Sequence, residues 1–452
     1  MSNFSTPQPF LATKMAKFHT QFLGFKRGKP PCANANLSKS NLVLTNLQKE
    51  PPHGKNSAFS SLLQLFQHPL KTKHYSWRTR AFVLDLAVVL AFCVLYATQA
   101  IAPILQEDFH ITIAQTSLLM TMMFLPLALS ALVYGFVLEN FSVQTLLVTA
   151  FFALSLLQFL TTFAASFHEL LLLRLLSGLF IPAVLISVMS LISRLSPSKE
   201  LAKNLGFYIC VTIFGGLFAR FCSSVLSDYL GWRLFFCLLG GALFLCGVAL
   251  IFVTPKIRIS HHKPRLSEFF ALLAKSENLR LCTLAFLCFG AYQAILNLLP
   301  FEVSKLSGGF DGVRVFLAYV GWVVGMVIGL NITRLITFFG GEKQLMGVGI
   351  LSCMLALWAM SVASYGVIFA AMFLLCFGFF SFHTTASSLA PRQNPDHRPI
   401  ASGLYIGFYY AGAAVGCYAP AFLYASEGWQ GLLMALCAVF GVAAFLLFGM
   451  RR

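Results

Sequence analysis

In this chain of 452 residues 58% are apolar and only 10% charged, whereas soluble globular domains carry about 25% charged residues. With a mean hydropathy of +0.79, that composition excludes a water-soluble domain, because a chain of this size has no interior able to hide so many apolar side chains. The formal net charge of +17 comes without a nucleic-acid reader fold, so no nucleic-acid partner is expected and the basic excess is read as a membrane-topology signal.

Residues 1–80 are polar and rich in Asn, Ser and Pro, with twelve Lys or Arg against the single acid Glu50. They read as a basic, disordered cytoplasmic tail. Binding of anionic lipid, an organelle transit peptide and a misassigned translation start are the competing readings. The tail lacks the apolar core of a secretory signal. Its segment SSLLQLFQHPL, from Ser60, has the spacing of a short amphipathic helix lying on a membrane surface.

Apolar runs of about 20 residues predict membrane helices. Twelve follow the tail, at 81–104, 115–138, 143–165, 168–193, 204–226, 232–253, 281–301, 314–337, 343–363, 366–390, 401–424 and 429–450. They divide into a first six-helix half at 81–253 and a second at 281–452. Between them, 254–280 form a basic linker in which SEFFALLAKSENL has helical spacing, with Ser267 as the expected N-cap. His261 and His262 in this linker read as a solvated loop pair.

Lys and Arg gather in the tail, in 194–203, in 254–280 and at Arg334, Lys343, Arg392, Arg398, Arg451 and Arg452. The other side of a twelve-span alternation receives only Arg233, Lys305 and Arg314. This asymmetry predicts that both termini face the cytoplasm. Of twelve cysteines only Cys32 lies in the tail, and no Cys-x-x-Cys spacing indicates a metal or redox site. No metal or other cofactor is expected.

The chain also repeats itself. The stretch from Leu205, LGFYICVTIFGGLFARFCSSVLSDYLGWRLFF, aligns without a gap with that from Ser402, SGLYIGFYYAGAAVGCYAPAFLYASEGWQGLL, at an offset of 197 residues. Gly206, Gly215, Gly231 and Trp232 thereby meet Gly403, Gly412, Gly428 and Trp429. A repeat at half-chain distance in an apolar sequence predicts two related halves around a central site.

Three motifs point to a family. GFVLENFSVQT, from Gly135, resembles the loop signature Gly-x-x-x-Asp-x-x-Gly-Arg-Arg of the major facilitator superfamily. Gly135 fits the first Gly and Glu139 stands at the Asp, while Ser142, Val143 and Gln144 replace the rest. RLLSGLF resembles that superfamily's Arg-x-x-x-Gly, with Arg174 and Gly178. SDYLGWRLFF resembles its junction between spans 5 and 6, where Asp228 and Arg233 are expected to pair. Within the superfamily, VLYATQAIAPILQEDFHIT from Val94, GLFARFCSSVLSDYLGWR from Gly216, GFFSFHTTASSLAPR from Gly378 and GLYIGFYYAGAAVG from Gly403 are similar to YnfM-type bacterial inner-membrane transport proteins. The resemblance implies an all-α membrane protein of twelve transmembrane helices in two pseudo-symmetric halves, working as a secondary transporter and exporter, with Gly135 and Glu139 as a gating latch.

Polar residues deep in the spans are the candidate cavity residues, since burial of polar groups in a membrane is costly without a partner or a function. They are Tyr96, Gln99, Arg174 and Arg220 in the first half, and Tyr292, Gln293, Asn297, His383, Tyr405 and Tyr409 in the second. Packing is the competing role for each aromatic, and a brace on main-chain carbonyls of span 1 the competing role for Arg174. Arg174 and Arg220 have no obvious acidic partner in their spans, which favours an anionic or zwitterionic cargo unless carbonyls neutralise them. Asp85 and His383 are the candidate proton carriers.

The expectation is a monomeric, multi-pass carrier in the plasma membrane, in bacteria the inner membrane. Its partners would be membrane lipids, protons and a small-molecule substrate. It would export a drug or metabolite by proton-coupled alternating access. Uptake of a nutrient or organic anion is the nearest alternative, and a transporter-like sensor or scaffold the alternative of another class. No phosphate loop marks an ATP-driven pump, and no His, Asp or Cys cluster marks a membrane enzyme.

Overall fold

A computed structural model describes residues 75–258 and 266–450, with the side chains at 131–133, 135–140, 202 and 266 outside that description. The Ser60 segment, the pair His261 and His262, and the side chain of the loop-motif residue Glu139, with Gly135 nearby, lie outside it.

Eleven helices among the described residues are long and apolar enough to cross a membrane. In the first half α1 (Trp77–Ala100) continues into the short α2 (Ala102–Asp108), followed by α3 (Ile113–Asn140), α4 (Val143–Thr162), α5 (Phe167–Leu195), α6 (Leu201–Leu230) and α7 (Trp232–Val253). After the linker helix α8 (Leu266–Leu273), the second half holds α9 (Ser276–Ser307), α10 (Gly312–Ala318), a 3-10 turn at Val320–Trp322, α11 (Val323–Phe338), α12 (Glu342–Met360), α13 (Tyr365–Gln393) and α14 (Arg398–Phe448). Helix α14 is 51 residues long and breaks at Gly428, so it makes two crossings. The tally thus becomes twelve, with α10, the 3-10 turn and α11 together forming the eighth.

Local chemistry fixes the ends. Ser142, which replaces a motif glycine, accepts from the Thr145 amide at 3.1 Å and caps α4. Ser166 and Glu169 form a reciprocal capping box that starts α5. The linker helix opens at Leu266, so Ser267 is its second residue and not its cap, and α9 starts afresh at Ser276. Phe269 and Leu272 seat α8 against Ile400 of α14, and Asn278 and Asn394 exchange side-chain hydrogen bonds at 3.1 and 2.8 Å beneath it.

The sequence repeat is a structural repeat. Gly231 (φ +81°) ends α6 and Gly428 (φ +68°) breaks α14, each just before a Trp, in a left-handed region that glycine enters without a Cβ clash. Paired glycines have paired duties too. A Cβ on Gly215 would meet α1 at Phe92 and Val89, at 3.1 and 3.2 Å, and one on Gly412 would lie 2.2 Å from the Phe286 carbonyl oxygen of α9. Helix α6 therefore lies close on α1 in one half as α14 lies on α9 in the other, the small-residue packing that membrane helices use.

We call the end of the bundle that carries the N-terminal start of α1 and the end of α14 the terminal face, and the opposite end the far face. Toward the far face the halves are bonded to each other. Asn297 donates to Ser117 at 2.9 Å, Thr121 to the Ala414 carbonyl at 2.9 Å, and the Gly312 amide to Asp228 at 2.9 Å.

Candidate functional site

The predicted cavity residues sort into two clusters and some outliers. The first cluster surrounds Arg220, which is fully buried on α6. Its Nε and Nη2 donate to Gln99 Oε1 at 3.1 and 2.5 Å, and Nη1 donates to the Gly216 carbonyl at 2.8 Å. Its guanidinium carbon lies 4.2 Å from the ring centre of Tyr96, 4.2 Å from Trp322 and 4.8 Å from Tyr319. Tyr96, Gln99 and Arg220 thus meet, and two residues that the sequence did not single out, Tyr319 and Trp322, complete the cage from the second half.

The second cluster lies within the second half, on α9, α13 and α14. Tyr292 stacks on Phe379 at 3.8 Å with 4° between the rings, and Phe289 stacks on Tyr409 at 3.5 Å and 10°. His383 Nδ1 shares a hydrogen bond with the Tyr405 hydroxyl at 3.0 Å and sits 4.5 Å from the Tyr409 ring. Phe124 of the first half touches this aromatic wall through Tyr410 and Phe289. The wall is walled by π faces and offers few polar atoms. They include the Tyr292 hydroxyl, 3.3 Å from Cys376 Sγ, the His383–Tyr405 pair and the Tyr409 and Tyr410 hydroxyls. Among the described residues, no Asp or Glu pairs with Arg220, Arg174 or His383 within 4.0 Å.

Four predicted residues stand apart. Arg174 is 1% exposed, and its Nη2 donates to the Val94 and Leu95 carbonyls of α1 at 2.9 and 3.1 Å, while Nε and Nη1 have no hydrogen-bond partner. Gln293 is fully buried with neither amide atom bonded, and Asn297 is engaged between the halves. Asp85 is half-buried on α1, eleven residues before Tyr96 and hence about 16 Å along the helix from the Arg220 cage.

The expected pairing of Asp228 with Arg233 does not form. Arg233 bonds Asp108 at 2.9 Å, and the Trp232 indole donates to the same carboxylate at 3.1 Å. The turn at Gly231 separates the two residues: Asp228 belongs to the last turn of α6, which faces the second half, and accepts from the Gly312 amide at the start of α10 there. Because Arg233 and Asp108 are 47% and 38% exposed, Asp108→Asn should lower stability by less than about 1 kcal/mol, read as a small fall in the thermal midpoint of the purified protein.

The comparisons with known proteins agree with this architecture. The profile of the Major Facilitator Superfamily matches residues 84–394. The chain is 25% identical to the uncharacterized MFS-type transporter YybF of Bacillus subtilis (strain 168), over 78% of this chain and 89% of that protein. It is 26% identical to the inner membrane transport protein YnfM of Escherichia coli (strain K12), over 76% and 84%. Among solved structures, the nucleoside transporter NupG superposes with a TM-score of 0.69 at 14% identity, over 82% of this chain and all of that one. A bacterial homologue of the human lysosomal transporter Spinster, inward-facing and unoccupied, gives 0.67 at 18% identity, over 83% and 97%. Twelve crossings in two repeated halves, and a superfamily profile that covers the first half and reaches residue 394 of the second, place this chain in the Major Facilitator Superfamily, a multi-pass membrane transporter and not an enzyme.

Proposed function

We propose that the chain is a proton-coupled carrier that exports a small, flat solute, neutral or cationic, by alternating access, in a plasma membrane with both termini on the cytoplasmic side. The observation that carries the cargo class is the aromatic wall of Phe289, Tyr292, Phe379, Tyr405 and Tyr409, with π faces in quantity and no carboxylate or free cation among them. Such faces attract planar rings and cations. Arg220 is already neutralised by an amide oxygen, a carbonyl and three rings, so it has little left for an anion.

The test is uptake into inside-out proteoliposomes under an imposed pH gradient, with panels of flat cations, neutral heteroaromatics, sugars and organic acids. Gradient-driven accumulation of a flat cation or heteroaromatic is the expected result, and saturable transport of organic acids alone would overturn it. A second reading, carriage of an organic anion, is favoured by one observation, the two unpartnered guanidinium nitrogens of Arg174.

Coupling requires a group that takes up and releases a proton between the halves. His383 is the better placed candidate, because it sits in the aromatic wall, while Asp85 lies about 16 Å along α1 from Tyr96. His383→Gln should therefore lower gradient-driven transport at least tenfold and leave downhill exchange near the wild-type rate. Asp85→Asn should leave both within about twofold. Equal gradient dependence in wild type and His383→Gln would remove His383 from the role.

A further inference from the structure

Arg220 sits where the two halves meet, and its environment differs from that of an ordinary buried brace. Gln99 and Gly216, which hold its nitrogens, belong to its own half. Two of its three π faces, Tyr319 and Trp322, belong to the other half. The polypeptide is shaped to bring them there. The eighth span is broken by a 3-10 turn at Val320–Trp322, and short 3-10 stretches inside helices mark hinges or strain. The Tyr319 hydroxyl donates to the Leu296 carbonyl at 2.7 Å, which ties the turn to α9. On the facing helix Gly216 makes room, since a Cβ there would lie 2.4 Å from the Trp322 ring.

The closed contact also leaves polar groups unsatisfied. Among the described residues, neither the Trp322 indole nitrogen nor Gln99 Nε2 has a hydrogen-bond partner, although both are buried. An unbonded buried donor destabilises the state that buries it. Water admitted between the halves would satisfy both, while removing two π faces from a cation that has no carboxylate. The cage and the orphaned donors therefore pull in opposite directions, which is the condition for a bistable contact.

The geometry points to the Arg220–Trp322–Tyr319 cage as a reversible cation–π latch that holds the far face shut and sets how often it opens. The inference rests on the alternating-access reading above for its purpose, but not for its test. Opening at the far face separates α6 from α10 and the 3-10 turn, so it also breaks the bond from the Gly312 amide to Asp228 and the close approach of Gly312 to the Ser224 backbone.

The experiment is hydrogen–deuterium exchange of the full chain in lipid nanodiscs, followed by mass spectrometry on peptides covering 216–231 and 307–322. Trp322→Leu keeps an apolar side chain and removes the π face, whereas Trp322→Phe keeps a face. The expected result is exchange about tenfold faster than wild type in both segments for Trp322→Leu, equivalent to about 1.4 kcal/mol in the closing equilibrium, and less than threefold faster for Trp322→Phe. Wild-type exchange in Trp322→Leu would overturn the latch. So would equal acceleration in the two variants, which would assign the effect to lost volume. Should Trp322→Leu fail to fold, Gly216→Ala displaces the indole from the other side and should accelerate the same two segments, with unchanged exchange again overturning the proposal. Exchange reports the gap between the halves even if no solute crosses, so absence of transport and absence of a latch remain separate results.

Discussion

Gly416→Val should remove most of the folded protein from the membrane, and Gly416→Ala should already lower the thermal midpoint clearly. A Cβ at this position would lie 2.1 Å from the Gly290 carbonyl oxygen and 2.6 Å from the carbonyl carbon and Cα of the same residue. These are backbone atoms of α9, so no side-chain rotation relieves the clash, and the helix axes must separate. Overpacking of this kind costs about 1–3 kcal/mol, occasionally more, and it outweighs the roughly 1 kcal/mol that alanine gains over glycine within a helix. The control is Gly441 on the same helix α14, where an added Cβ meets nothing within 4 Å. Gly441→Ala should leave the midpoint unchanged or raise it slightly. A fourth variant sharpens the argument. A Cβ on Gly412, one turn away, would lie 2.2 Å from the Phe286 carbonyl oxygen, so Gly412→Ala and Gly416→Ala demand the same helix displacement. Their combined cost should be less than the sum of the single costs, as expected for residues sharing one backbone shift. Fluorescence-detected size-exclusion chromatography after stepwise heating measures all five variants, the Gly412→Ala/Gly416→Ala double variant included. A Gly416→Ala protein that melts with wild type would show that α9 and α14 are not held in backbone contact.

That contact was partly legible beforehand. The offset of 197 residues aligned Gly215 with Gly412 and Gly231 with Gly428, and both pairs recur as structural pairs because a membrane helix packs closely only where small residues let it, and turns tightly only where glycine tolerates positive φ. The spans were legible for a simpler reason: a hydrocarbon layer demands long apolar runs whatever the tertiary structure. What periodicity does not encode is where a run is interrupted by its neighbours. The eighth span reads as one apolar stretch, yet it breaks at Val320–Trp322, where Gly321 packs on the Met372 backbone of α13 and Trp322 reaches toward Arg220.

The site was legible in its polar members and hidden in its aromatic ones. Gln99 and Arg220 announce themselves because a polar group within a membrane span requires an explanation, and they bond each other. Phe289 and Phe379 carry no such signal in a chain with 47 Phe, although they form the wall with Tyr292 and Tyr409. Trp322 was the accessible clue. It is one of only five Trp, it lies near the middle of an apolar run three residues after Tyr319, and that spacing puts both rings on one helix face. Asp228 shows the opposite failure. Its nearness in sequence to Arg233 suggested a pair, but the turn at Gly231 assigned each to a different neighbour.

Arg174→Met should cost at least 2 kcal/mol of apparent stability without weakening cargo binding, if the arginine holds the fold and not the solute. Methionine fills much of the volume and removes the charge, so the loss measured is that of the bonds to the Val94 and Leu95 carbonyls. Hydrogen bonds to a charged group contribute about 1.5–3 kcal/mol each. Against this stands the relief of an arginine whose Nε and Nη1 are buried without a hydrogen-bond partner, and removing such a buried charge in favour of an apolar group is sometimes neutral. The carbonyls decide the balance. Both accept from α5 across to α1, so their donor fixes the distance between those helices, and Arg174→Lys, which keeps the charge but loses the fork, should fall between wild type and Arg174→Met. Thermal unfolding across a ligand titration separates fold from site, because a ligand that binds only the folded state raises the midpoint in proportion to the logarithm of its concentration above the dissociation constant. For a brace, Arg174→Met shifts the whole curve down and leaves the ligand concentration at which stabilisation sets in unchanged. For an anion-binding residue the onset moves at least tenfold higher for organic acids and not for flat cations, and the cargo class then belongs to Arg174 and not to the aromatic wall.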